Sequence, residues 1–202
     1  PNSSIGYLTE VNHSLFFVAN NGSNGTELWK SDGTTVGTVM VKDIRSGAMG
    51  SNPSGLVNLN GVVYFAADDG INGMELWKSD GTAAGTVIVK DINPLSASSY
   101  PQSLATVNGL LYFAAENSPT GMELWKSDGT AAGTILVKDL WPGTESGYPS
   151  NLINVGSTLF FAATDGIKGT ELWKSDGTSA GTVLLKDIWP GAGESYPFSL
   201  KS

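Results

Sequence analysis

The 202-residue sequence has no cysteine. A disulfide framework, thiolate zinc sites and a cysteine nucleophile are therefore excluded, while the compartment stays open. Histidine occurs once, as His13 at an expected hairpin turn, where it reads as a solvated surface group, and no nucleophile–base–orienter set can be assembled around it. Basic charge is scarce: 11 Lys and Arg against 19 Asp and Glu give a net charge of −8. Most of the basic residues are Lys30, Lys42 and their repeat copies; only Arg45, Lys168 and Lys201 lie outside the repeats. With the cations spread evenly, no patch is left to hold phosphates, and neither nucleic acid nor an anionic membrane is an expected partner. No apolar run approaches the ~20 residues of a membrane helix, so no membrane insertion is expected. The opening PNSSIGYLTE lacks the basic start and apolar centre of a signal peptide. Phosphate-loop and metal-ligand patterns are missing as well, and no cofactor is expected.

What the sequence does have is repetition. The octapeptide ELWKSDGT stands at 27–34, 75–82, 123–130 and 171–178, with a constant period of 48 residues. A fixed period of that length marks a repeat architecture. In the second copy GLVNL (55–59), VVYFAA (62–67), MELWKS (74–79) and VIVKDI (87–92) read as strands. Asn60-Gly61 is a two-residue hairpin turn, since both residues tolerate positive φ. The 26 glycines and 9 prolines fall between the apolar runs, as turn residues should. Four strands in about 45 residues is the size of a propeller blade, and runs such as VVYFAA, apolar on both faces, fit a sheet sandwiched between neighbours.

The expected fold is thus all-β, a single β-propeller domain over 1–202. Its blades fall at about 5–52, 53–100, 101–148 and 149–196, and 197–202 begins or closes a further blade. SYPFSLKS at the end repeats the blade opening SYPQSLAT, yet the first blade has its own opening near IGYLTEV. Three arrangements accommodate this surplus: a closed four-bladed ring with one spare segment, part of a longer array, or self-association of two chains into a larger ring.

With ELWKSDGTxxGTxxxKD present four times, the sequence resembles the bacterial ELWxxDGT repeat family. The resemblance covers essentially the whole chain. It implies repeats of about 48 residues in large secreted or surface proteins, and it carries over no catalytic residue. The DG turn after an LW strand also looks like blades of WD40-like and TolB-type propellers, a looser likeness that bears on fold.

The octapeptide reads as frame. Trp29, Trp77, Trp125 and Trp173 suit blade-to-blade packing, with the indole N–H bonded to a neighbouring carbonyl. Asp32 and its copies suit a turn in which the carboxylate accepts a backbone N–H two residues on, and Gly33 supplies positive φ. One carboxylate per turn is too few for a calcium loop. Glu27 and Lys42 are expected to face each other across adjacent strands, because that register pairs opposite charges and sets Trp29 opposite Met40.

Function is expected where side chains are free to differ. The loops between second and third strands are NNGSNG, DDGING, ENSPTG and TDGIKG; those joining blades are RSGAMGSNP, NPLSASSYP, WPGTESGYP and WPGAGESYP. Trp141 and Trp189 stand before Pro-Gly, and Tyr100, Tyr148 and Tyr196 before Pro. A flat exposed aromatic beside carboxylates suits the apolar face of a sugar, whose hydroxyls the polar groups take. The candidate ligand-binding residues are these five aromatics with Asp69, Asp165, Glu145 and Glu194. The bland alternative folds the Trp-Pro and Tyr-Pro pairs down onto the blade edge. The leading expectation is a secreted, non-catalytic, lectin-like module that binds glycans or glycoproteins at several such sites. The first alternative is an adhesion or scaffold segment of a larger cell-surface protein that contacts other proteins; the second is an enzyme fragment whose carboxylates (Asp68, Asp69, Glu116, Asp165) converge. Exposed aromatics lining shallow pockets favour the first reading and buried ones the scaffold. Asn2, Asn12, Asn21 and Asn24 each begin a glycosylation sequon, all in the first blade.

Overall fold

A computed structural model describes residues 5–198. Asn2 and the last four residues of the expected further blade start lie outside them. Among the described residues sixteen strands form four antiparallel sheets, each a simple up-and-down meander. Blade 1 contains β1 (Gly6–Val11), β2 (Ser14–Asn20), β3 (Thr26–Ser31) and β4 (Val39–Lys42). Blade 2 contains β5 (Ser54–Leu59), β6 (Val62–Asp68), β7 (Met74–Ser79) and β8 (Val87–Lys90). Blade 3 contains β9 (Gln102–Val107), β10 (Leu110–Asn117), β11 (Gly121–Ser127) and β12 (Ile135–Lys138). Blade 4 contains β13 (Ser150–Val155), β14 (Thr158–Thr164), β15 (Thr170–Ser175) and β16 (Val183–Lys186). The chain forms two compact units, Pro1–Ser99 with blades 1 and 2 and Tyr100–Ser202 with blades 3 and 4.

The expected hairpin chemistry holds. Asn60 and Gly61 take φ of 53° and 81°, and Asn108 and Gly109 take 51° and 76°, the mirror-image turn that suits strand twist. Each first strand carries a bulge, at Tyr7, Gly55, Ser103 and Asn151, where φ is positive.

Within unit 1 the core lies between the sheets of blades 1 and 2. Val11, Phe16, Leu28, Val41 and Ile44 of blade 1 pack against Val63, Phe65, Ala67 and Trp77 of blade 2. Unit 2 repeats the arrangement with Val107, Tyr112, Leu124, Val137 and Leu140 against Leu159, Phe161, Ala163 and Trp173. The apolar-on-both-faces strands serve these sandwiches. Trp29 and Trp173 also satisfy their indole N–H within their own sheet, on the carbonyls of Ala19 and Ala163 at 3.0 Å each.

The SDGTxxGT segment is a self-contained turn. Asp80 Oδ1 accepts both the backbone N–H and the hydroxyl of Thr82, at 2.8 and 2.7 Å. The Thr82 hydroxyl in turn accepts the Gly85 N–H at 2.9 Å. Ser79 and Thr86 close the base through a 2.7 Å hydroxyl pair. Gly81 supplies the positive φ of 88°. A Cβ on Gly85 would come within 2.1 Å of Asp80 Oδ1, which explains the second glycine of the motif. Blades 1, 3 and 4 repeat the same bonds.

The expected Glu27–Lys42 pair does not form. Trp29 does face Met40, but the ladder shifts at Val41, so that Leu28 and not Glu27 faces Lys42. The same shift recurs in the other three sheets. A bulge moves the side chains beyond it to a new register, and the two charges part. Lys42 Nζ reaches the next blade, donating to the Thr86 carbonyl at 2.7 Å and lying 5.8 Å from the Trp77 ring centroid. Glu27 turns inward to the blade-joining loop.

Candidate functional site

Each blade-joining loop is tied at its base by that inward glutamate. Glu27 accepts the N–H of Ser51 at 2.8 Å and its hydroxyl at 2.5 Å, with the N–H of Ile44 and Arg45 at 3.2 and 3.3 Å. Glu75 does the same with Ile92, Asn93 and Ser99. Glu123 accepts from Leu140 and Gly147, and Glu171 from Ile188 and Ser195. All four carboxylates are fully buried. Desolvation raises the pKa of Glu27 and pushes Glu75 and Glu123 up to about 7, against the pull of their hydrogen bonds. In Glu171 desolvation is still the largest single effect, but the Ser195 hydroxyl and the loop N–H groups together outweigh it and the pKa is lowered. The latch was missed in the sequence because donor and acceptor lie 17 to 24 residues apart. The one available signal was a glutamate repeated four times without variation, more than strand formation requires.

Above each latch the loop carries the variable side chains. Tyr100, Tyr148 and Tyr196 are exposed, Tyr148 at 61%, and so is Trp189 at 63%. The three tyrosines hold φ of 46°, 48° and 44°. That left-handed region is rare for a bulky residue, and the following proline further disfavours a compact conformation. At the equivalent position of blade 1 stands Asn52, with φ of 49°, a residue suited to the conformation.

In unit 2 these elements meet at a cleft of about 290 Å³. Trp141 and Tyr148 come from the loop after blade 3, Gly166 and Ile167 from the β14–β15 turn, and Glu194 from the loop after blade 4. Trp141 is half-buried and lies flat on Gly166, where a Cβ would come within 2.2 Å of its ring. Thus Trp141, Tyr148 and Glu194 of the expected set are brought together, and Asp165 sits in the turn beneath them. Its carboxylate is engaged: Oδ1 accepts the N–H of Ile167 and Lys168 at 2.9 and 2.8 Å. Glu145 is exposed and does not line this cleft.

Unit 1 has a cleft of about 470 Å³ that shares three positions with it, Arg45, Gly70 and Ile71 for Trp141, Gly166 and Ile167, but Asn52 and Ser98, at the places of Tyr148 and Glu194, do not line it. Arg45 takes the place of Trp141 and covers Gly70, and its guanidinium pairs with Asp68. Lys42, Ile44, Ser46, Asp69, Ile71 and Trp77 complete the lining. Asp69, like Asp165, caps its own turn, with Oδ1 accepting from Ile71 and Asn72 and Oδ2 from the Asn72 amide. Asp68 is thereby committed to Arg45, and Asp69 to its turn. Among the described residues no three His, Cys, Asp or Glu gather as a metal site, and no helix is long and apolar enough to cross a membrane. His13 sits in the β1–β2 turn, its N–H donating to Glu10 at 2.7 Å.

No family model matches the chain, and no curated protein matches it. Solved structures do. The chain is similar to a puromycin hydrolase at a TM-score of 0.60 and 15% identity, over 91% of this chain and 30% of that one. A puromycin-hydrolyzing peptidase of Mycobacterium tuberculosis gives 0.60 at 13% identity, over 91% and 28%. The computationally designed Ika8 protein gives 0.51 at 14% identity, over 91% and 49%. The chain therefore spans less than half of each of these proteins. The likeness is one of fold: the chain is all-β and β-propeller-like.

Proposed function

We propose that the chain is a non-catalytic, secreted carbohydrate-binding module whose sites lie in the blade-joining loops. The observation that carries this reading is the set of strained, exposed tyrosines. Holding a tyrosine at positive φ before proline costs of order 1 kcal/mol or more, and asparagine serves the fold at the same position of blade 1. A costly residue left exposed to solvent suits contact with a ligand rather than packing. In unit 2 the tyrosine shares a cleft with an indole ring and the Glu194 carboxylate. A sugar ring offers an apolar face for the aromatics and hydroxyls for the carboxylate. The cleft volume sits near the low end of the roughly 300–1,000 Å³ of small-ligand sites, which suits one or two sugar residues. The charged cleft of unit 1 takes a different ligand or a weaker one, so the sites are not equivalent.

The test is a glycan-array screen of the purified chain, followed by calorimetry on any hit. Selective binding that falls at least tenfold in Trp141→Ala and Tyr148→Ala, with folding unchanged, supports the reading. A blank array with folded protein, with and without calcium, removes it and favours the alternative, a structural segment of a larger surface protein.

A further inference from the structure

Within each unit one sheet face repeats the apolar set of a joint face and yet is exposed. The face that blades 1 and 3 press onto their neighbours is built from equivalent repeat positions. In blade 3 these are Val107, Tyr112, Leu124, Val137 and Leu140, all buried. The same positions in blade 4 are Val155, Phe160, Leu172, Leu185 and Ile188. They remain apolar and lie open: Val155 is 49% exposed where Val107 is 4%, and Ile188 is 54% exposed where Leu140 is 3%. A shallow apolar depression of about 200 Å³ runs between Ile153, Val155, Phe160 and Leu172.

The complementary face is open on blade 1. Blades 2 and 4 offer their neighbours the sets Leu56, Val63, Phe65, Trp77 and Leu152, Leu159, Phe161, Trp173. In blade 1 the equivalents are Leu8, Leu15, Phe17 and Trp29. Leu15 is 39% exposed against 0% for both Val63 and Leu159, and Leu8 is 65% exposed where Leu56 and Leu152 are half-buried, while Phe17 is buried. Apolar patches of this kind mark interaction surfaces.

We infer that the blade 4 face of one copy docks on the blade 1 face of a second copy of this chain, head to tail. The occupant is specified by the interface that joins the two blades inside each unit. Blade 1 on blade 2 and blade 3 on blade 4 join the same two faces, and each joint is fastened by a lysine. Lys42 donates to the Thr86 carbonyl and Lys138 to that of Thr182, both at 2.7 Å, with the ammonium over Trp77 and Trp173. Lys186 stands at the same position on blade 4, and the carbonyl and ring it would reach are those of the partner's Thr38 and the partner's Trp29. Two outer bonds of the internal joints have no counterpart. Asn12 and Asn108 each donate to the next blade's turn, but Gly156 stands at that position of blade 4. Asn58 and Asn154 each donate back to the preceding blade, but Glu10 stands at that position of blade 1. The intermolecular joint is therefore weaker than the internal ones and concentration-dependent. Because the two faces differ, the contact is heterologous.

Sedimentation equilibrium of the full chain over micromolar to millimolar concentration tests this. The expected mass is a multiple of the 21.0 kDa chain. Leu185→Glu and Leu8→Glu, both at exposed positions, should each give a folded monomer by circular dichroism and sedimentation. Mixing the two variants should restore a heterodimer and nothing larger, since each supplies the face the other has lost. A wild-type chain that stays monomeric throughout, an assembly that survives Leu185→Glu, or a mixture that stays monomeric would each overturn the inference. In the first case the faces belong to neighbouring repeats of a longer chain.

Discussion

The indole of Trp141 occupies the space a side chain at position 166 would need: a Cβ on Gly166 would come within 2.2 Å of Cε2. Gly166 also holds φ of 77°, so alanine is strained there on both counts. Gly166→Ala should lower stability by roughly 1–3 kcal/mol in denaturant melts. It should also lift the indole off the turn, read as a red-shifted emission that Trp141→Phe abolishes. An unchanged spectrum would mean that Trp141 does not rest on this glycine.

Tyr148→Asn should stabilise the chain by about 0.5–1 kcal/mol, because asparagine accepts left-handed backbone more easily. If the cleft binds glycan, the same variant should bind more weakly. A gain in melting temperature together with a loss of binding would separate the residue's cost to the fold from its use. A loss of stability would instead place the tyrosine among packing residues.

The glutamate latches set the pH dependence. Glu75 and Glu123 have folded pKa values of about 7, raised from roughly 4.3 in the unfolded chain. The folded state therefore binds protons more tightly. The resulting stability is fully present below about pH 4 and is lost as pH rises through 7, up to roughly 3 kcal/mol per group. Asp32, Asp80 and Asp176 act in the other direction, since bonds from Thr34, Thr82 and Thr178 lower their pKa values. Their contribution is present above pH 4 and disappears as acid titrates them. Urea midpoints should be highest between about pH 4 and 6 and lower at pH 8. Glu75→Gln should weaken the fold at every pH and flatten the fall between pH 5 and 8. A midpoint that climbs steadily to pH 8 would contradict the raised values.

Gly85→Ala should cost about 2 kcal/mol or more, because the new methyl meets the Asp80 carboxylate. Asp80→Ala alone should cost about 1 kcal/mol for its lost turn bonds. The double variant should cost less than the sum, with a coupling of roughly 1 kcal/mol. Strict additivity would show that the two residues do not crowd each other.

The period, the strands and the turns were legible because they rest on local chemistry. Asn60-Gly61 needs only its own two residues to specify a hairpin, and Asp80 finds Thr82 two positions away. The partner of Glu27 was not legible. Opposite charge across a flush ladder favours Lys42, but the bulge at Val41 breaks the ladder one residue short, and the real donors lie across a loop. The aromatic site was half legible. Composition picked out Trp141, Tyr148 and Glu194, which share a cleft, while Asp69 spends both oxygens, and Asp165 its Oδ1, on their own turns, as Asp before Gly commonly does.

The buried glutamate has a consequence for how such a protein changes. It grips backbone N–H groups, those of Arg45 and Asn93 among them, and the loop's serine hydroxyl where there is one, but none of the side chains at the tip. Arg45, Trp141 and Trp189 can therefore exchange for one another without the glutamate losing its bonds, whereas Asn93 is buried and holds the Ser98 carbonyl of its own loop. Each blade is a socket into which a new tip can be fitted by point substitution, and duplicating a blade duplicates the socket. A lineage built this way can alter its recognition one loop at a time while the frame beneath it stays fixed.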